Sequence, residues 1–128
     1  MQAEAKRATI LVCDDDERLR ELMKVTLGPV YKYVDAADAE TAIELCRSTR
    51  PDLVLLDVML PGRSGLHVLK TLREDAELQE TPVVVVSAWQ APEDRAEAKA
   101  AGADAFLAKP FELEELTDAA SKLLRRRR

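Results

Sequence analysis

The sequence predicts an α/β protein, a doubly wound parallel sheet of five strands with five helices. Short apolar runs alternate five times with longer segments of helical periodicity, and no linker or repeat interrupts them. Runs such as Leu53-Val54-Leu55-Leu56 and Val83-Val84-Val85-Val86 are apolar throughout, the pattern of strands covered on both faces. The polar residues Asp14 and Asp15, Asp57, Ser87 and Lys109 follow directly after four such runs. Right-handed crossovers bring the carboxyl ends of parallel strands to one edge, so these residues are expected together.

The first strand is expected at Thr9 to Cys13, ahead of Asp14-Asp15-Asp16-Glu17. Leu19, Leu22, Met23 and Leu27 then mark a helix face, which Gly28-Pro29 stops. Tyr31 to Val34 reads as the second strand, and Asp38 caps a helix carrying Ala42, Ile43 and Cys46. Pro51 precedes the third strand, which ends at Asp57, and Pro61-Gly62 turns the chain. Gly65, Val68, Leu69 and Leu72 mark the inner face of a third helix. The fourth strand, Val83 to Val86, ends at Ser87, and Pro92 opens an alanine-rich helix that stops at Gly102 with a weak apolar grip. A fifth strand, Ala105 to Ala108, runs into Lys109-Pro110, and the last helix shows Leu113, Leu116, Ala120, Leu123 and Leu124.

Composition narrows the function classes. A chain of 128 residues is long enough for one domain with a full core. Its net charge of −5 argues against attraction to nucleic acid or an anionic membrane, and the low aromatic content leaves little to stack on bases. No apolar run approaches membrane-spanning length, and Met1 to Ala8 is too polar for a secretion signal, so a cytoplasmic location is expected. Cys13 and Cys46 lie among apolar residues and read as buried free thiols.

Three carboxylates on one edge repel unless a cation sits among them, and a few hard oxygen ligands with room for water suit Mg²⁺ or Mn²⁺. Asp15 and Asp57 are the expected direct ligands, Asp14 holds a metal-bound water, and Met59 adds its backbone carbonyl. Asp16 and Glu17 are expected only to cap the first helix. A divalent ion beside a carboxylate points to phosphoryl transfer onto it, giving an aspartyl phosphate. Lys109 can pair with one phosphoryl oxygen and Ser87 can donate to another. Taken singly, Ser87 is an ordinary strand-end hydroxyl and Lys109 a solvated charge; their shared edge with the acids favours the site.

Val12-Cys13-Asp14-Asp15-Asp16, Leu56-Asp57-Val58-Met59-Leu60-Pro61-Gly62, Val86-Ser87-Ala88 and Gly102 to Phe111 resemble, in order, the landmarks of bacterial response regulator receiver domains. The resemblance spans residues 8–125, leaving residues 1–7 as an N-terminal tail and 126–128 as a basic end. It implies a flavodoxin-like receiver fold with strand order 2-1-3-4-5 and a cis peptide between Lys109 and Pro110. It also implies a signalling switch rather than an enzyme: Asp57 accepts a phosphoryl group from a histidine kinase with Mg²⁺ and later loses it by self-catalysed hydrolysis. The implied output surface is the fourth helix, fifth strand and fifth helix, where Glu93, Arg95, Lys99 and Phe106 fall. Its partner would be an effector protein, an output domain or, on phosphorylation, a second copy.

Some positions depart from the commonest family pattern or carry a separate reading. Phe106 stands where the family often has tyrosine as the aromatic switch that moves with Ser87; simple core packing is the equal alternative. Met59 and Trp89 occupy positions the family uses to tune phosphoryl lifetime, and a bulky Trp89 can shield the group from water. His67, the only histidine, reads as a helix-boundary residue, and Arg125 to Arg128 suit the negative end of the last helix or the start of a linker. The competing enzyme reading is a phosphatase resembling the haloacid dehalogenase family, with Asp14 and Asp16 as nucleophile and acid. It lacks a threonine shortly after them and leaves Asp57 without a role. A nucleotide-binding module lacks the glycine loop, and a degenerate receiver is disfavoured by the intact acids, hydroxyl and lysine.

Overall fold

A computed structural model describes residues 7–60, 64–88 and 92–127. In chain order the elements are β1 (Thr9–Cys13), α1 (Glu17–Leu27), β2 (Lys32–Ala36), α2 (Ala39–Thr49), β3 (Leu53–Leu56), α3 (Gly65–Glu74), β4 (Val83–Ser87), α4 (Pro92–Ala100), β5 (Ala105–Ala108) and α5 (Leu113–Arg127). The strands form one parallel sheet in the order β2-β1-β3-β4-β5, as the resemblance implied.

Alternation along the strands builds two cores. Leu11, Cys13, Val54, Leu56, Val83 and Val85 face α2, α3 and α4, where they meet Cys46, Leu69 and Ala98. Ile10, Val12, Leu53, Leu55, Val84 and Val86 face the other way, toward Met23 of α1 and Leu116 and Leu123 of α5. The all-apolar strands are thus covered on both sides, each large side chain contributing roughly 1.5–3 kcal/mol by leaving water. Both cysteines are buried free thiols.

The helices begin and end where their local chemistry directs. Asp16 accepts the Arg18 and Leu19 N–H groups and Asp38 the Thr41 N–H, capping α1 and α2. Gly28 closes α1 at φ +96°, a region that disfavours a side chain.

Three expectations shift. β2 lies at Lys32–Ala36 rather than Tyr31 to Val34, because it pairs along the whole of β1, from Thr9 with Lys32 to Cys13 with Ala36. Leu22 is 44% exposed, since the stripe of α1 that meets the sheet runs through Leu19, Met23 and Leu27. Leu113 is 49% exposed, at the first turn of α5, while Leu116, Ala120 and Leu123 take the core. α5 itself continues through Arg126 to Arg127.

Candidate functional site

Sheet hydrogen bonding at the carboxyl edge roots the polar residues that cluster there. The Asp14 N–H donates to the Ala36 carbonyl at 3.0 Å, the Asp57 N–H to Cys13 at 2.9 Å and the Lys109 N–H to Ser87 at 2.8 Å. Each of the three residues lies just past its strand yet inherits the strand's rigidity. The Lys109–Pro110 peptide is cis.

Their side chains converge. The Lys109 Nζ donates to Asp14 Oδ2 at 2.8 Å and to Asp57 Oδ2 at 2.9 Å. Asp57 Oδ1 accepts the Met59 N–H at 2.8 Å, and Asp14 Oδ1 accepts the Asp16 N–H at 2.9 Å. Asp14 and Asp57 are buried, at 1% and 5% exposure, whereas Asp15 is exposed. Burial opposes the charge on Lys109, but the hydrogen bonds and charges of the two aspartates outweigh it and raise its pKa above the usual lysine value.

One carboxylate oxygen each from Asp14, Asp15 and Asp57 lies within 4.8 Å of the others, a group that could hold a metal ion. With Lys109 paired to two of them, three carboxylates and one ammonium leave two negative charges. A divalent cation matches that remainder, and an all-oxygen donor set open to water on the Asp15 side fits Mg²⁺ or Mn²⁺. Neither cysteine is part of this group. Burial pushes the Cys46 thiol up to about 12 and raises that of Cys13 as well.

The remaining candidates fall into three groups. Ser87 is fully buried at the end of β4, between the strands that lead to Asp57 and Lys109. Phe106 on β5 packs against the core shared with α3 and α4, and the Arg95 guanidinium lies 4.9 Å from its ring centre. The Met59 side chain, two residues after Asp57, is exposed. Trp89 and the Pro61-Gly62 turn lie outside the described residues. Away from the cluster, Asp16 is committed to the α1 cap, which removes the acid that the phosphatase reading needs. His67 is half-buried on α3, and Glu93, Arg95, Lys99, Arg125 and Arg126 are exposed on α4 and α5.

Two residues gain roles that their sequence signals did not carry. Gly65 was visible as part of the α3 inner face; a Cβ there would run into the Asp57 carbonyl, so only glycine lets α3 start against the backbone of Asp57. Arg20, which no sequence motif singles out, donates from Nη1 to the Asp14 carbonyl at 2.6 Å.

Comparison with known proteins identifies the family. Residues 10–121 match the response regulator receiver domain family. The chain is 40% identical over 126 residues to a protein of Mycobacterium tuberculosis named "Probable transcriptional regulatory protein TcrX", covering 98% of this chain and 53% of that one. It is 42% identical over 118 residues to the response regulator MprA of Mycolicibacterium vanbaalenii, covering 91% of this chain and 50% of that one. The chain thus spans about half the length of these curated relatives. The solved receiver domain of Francisella response regulator 1452 superposes with a TM-score of 0.87 at 29% identity, covering 95% of this chain and 100% of that one.

Proposed function

The chain belongs to the response regulator receiver domain family, and on that premise we propose that it is a phosphorylation-activated switch whose phosphoacceptor is Asp57. The observation that carries the proposal is the Asp57 carboxylate: nearly buried, 2.9 Å from the Lys109 ammonium and clustered with Asp14 and Asp15.

Asp14, Asp15, Asp57 and the Met59 carbonyl would hold Mg²⁺ or Mn²⁺, which when bound supplies positive charge against the phosphoryl oxygens. A carboxylate oxygen of Asp57 attacks the phosphorus of a phosphohistidine on a histidine kinase, or of a small acyl phosphate. A new P–O bond forms, and the bond to the imidazole or carboxylate leaving group breaks with its electron pair. Lys109, anchored through its N–H to Ser87, neutralises charge that gathers on one phosphoryl oxygen. The Ser87 hydroxyl donates to another. Hydrolysis later returns the carboxylate and releases inorganic phosphate, and Met59 and Trp89 set the access of that water. Such slow self-catalysis serves signalling rather than turnover.

Ser87 and Phe106 relay the state of Asp57 to the face formed by α4, β5 and α5, where an effector protein, an output domain or a second phosphorylated copy docks. Among the described residues no helix is long and apolar enough to cross a membrane. With an acidic chain, this supports a cytoplasmic domain that does not itself bind nucleic acid.

Intact-mass analysis after acetyl phosphate and Mg²⁺, on the native chain and Asp57→Asn, tests the assignment. A single phosphoryl gain that requires Mg²⁺ and disappears in the variant is expected. A gain that persists in Asp57→Asn overturns it and moves the acceptor to Asp14.

A further inference from the structure

We propose that Arg20, oriented by Asp35, is a positioning residue for the divalent-cation site, acting through the peptide that joins Asp14 to Asp15; this rests on the cation reading above. Most of Asp14 is fixed by other means. Its N–H donates to Ala36, and its carboxylate oxygens accept from Asp16 and Lys109. Its carbonyl accepts from Arg20 at 2.6 Å, a charge-assisted bond of the strong kind. That carbonyl belongs to the same planar unit as the Asp15 nitrogen, so fixing it fixes the plane from which Asp15 departs. Asp15 is the exposed member of the acidic trio, and its backbone is what places it.

Arg20 is itself held. It sits one turn into α1, its N–H bonded to the Asp16 carbonyl at 3.1 Å. Its Nε donates to Asp35 Oδ2 at 3.0 Å, and its side chain is only 15% exposed. Lys24 grips both oxygens of the same Asp35 at 2.9 and 3.0 Å. The planar guanidinium thus bridges β2 to the loop after β1, two donors pointing to two acceptors, which a lysine cannot reproduce.

Charge and position make opposite demands here, which gives the inference a test by sign. A guanidinium near a cation site repels the cation, and Asp35 offsets that charge. Removing Arg20 should therefore tighten cation binding if charge alone matters, and weaken it if Arg20 positions the ligands. Isothermal titration with Mg²⁺ alone on folded protein, native, Arg20→Gln, Arg20→Lys and Asp35→Asn, decides between them. Loss of an outer support typically costs about 10–100-fold in metal affinity, and Arg20→Gln is expected near the low end, about tenfold weaker. Arg20→Lys should fall between it and the native chain. Asp35→Asn weakens binding on either account, so Arg20→Lys, which keeps the charge and loses the two-donor fork, keeps the test alive if Arg20→Gln fails to fold.

Equal or tighter Mg²⁺ binding by folded Arg20→Gln overturns the inference. So does a lowered melting temperature with unchanged affinity, the result expected of a merely stabilising arginine. A native chain that binds no Mg²⁺ overturns the cation reading itself, a failure distinct from the other two.

Discussion

α3 and α4 cover the same face of the sheet and follow successive strands, yet they are held very differently. α3 buries Gly65, Val68, Leu69 and Leu72, and its first residue lies against the backbone of Asp57. α4 buries only Ala98 among its described side chains. Its C-terminal side is better secured: Arg73 of α3 donates to the Gly102 carbonyl at 2.7 and 3.1 Å, to Thr81 at 2.7 Å and to Asp104 at 3.0 Å. Thin packing lowers the free energy of local rearrangement, and elements that move are drawn from such regions. Under the proposed function, the contrast fits α3 as the helix that keeps Asp57 still and α4 as the helix free to rearrange about a pinned end.

That comparison breaks first at Leu69. Leu69→Ala should cost about 2–5 kcal/mol in urea denaturation, whereas Ala98→Gly on α4 should cost about 1 kcal/mol. Equal losses would mean that α4 is as firmly built into the fold as α3. Gly65→Ala should cost about 1–3 kcal/mol, since the new methyl meets backbone rather than a yielding side chain. It should also slow phosphorylation by acetyl phosphate, measured by intact mass over time, and an unchanged rate would separate α3 from the acceptor. Arg95→Ala removes the cation–π contact with Phe106, expected to be worth about 0.5–1 kcal/mol at an exposed site. Stability should change little while Asp57 still gains its phosphoryl group.

The smallest effect is one of pH. Lys109 has a folded pKa above its ordinary 10.5, so its contribution to stability is fully present below 10.5 and is lost as pH rises through the higher folded value. The stability difference between the native chain and Lys109→Met should contain no lysine titration below 10.5 and should shrink above it. A lysine titration below 10.5 would show that the aspartates do not outweigh the burial of Lys109.

The candidate site was legible because its residues stand out locally. Asp57 follows four apolar residues, Ser87 follows four valines, and each marks a strand end without knowledge of neighbours. Arg20 and Asp35 were not legible as a pair: α1 and β2 meet only after the chain folds back, and each alone reads as an ordinary surface charge. The bounds of β2 were missed for a related reason, since an edge strand takes its limits from its partner. Leu22 and Leu113 fit helical spacing, but spacing does not say where the sheet's edge lies.

By itself the sequence determined the alternation of strands and helices, the two-sided burial of the sheet and the set of polar residues at its carboxyl edge. These follow from apolar runs, caps and breakers that act within a few residues. The tertiary structure decided which oxygen faces which nitrogen: Lys109 between Asp14 and Asp57, Arg20 under the Asp14 carbonyl, Gly65 against Asp57. Such contacts depend on strand order and on the register of distant segments, and no local pattern in the chain encodes the distance between them.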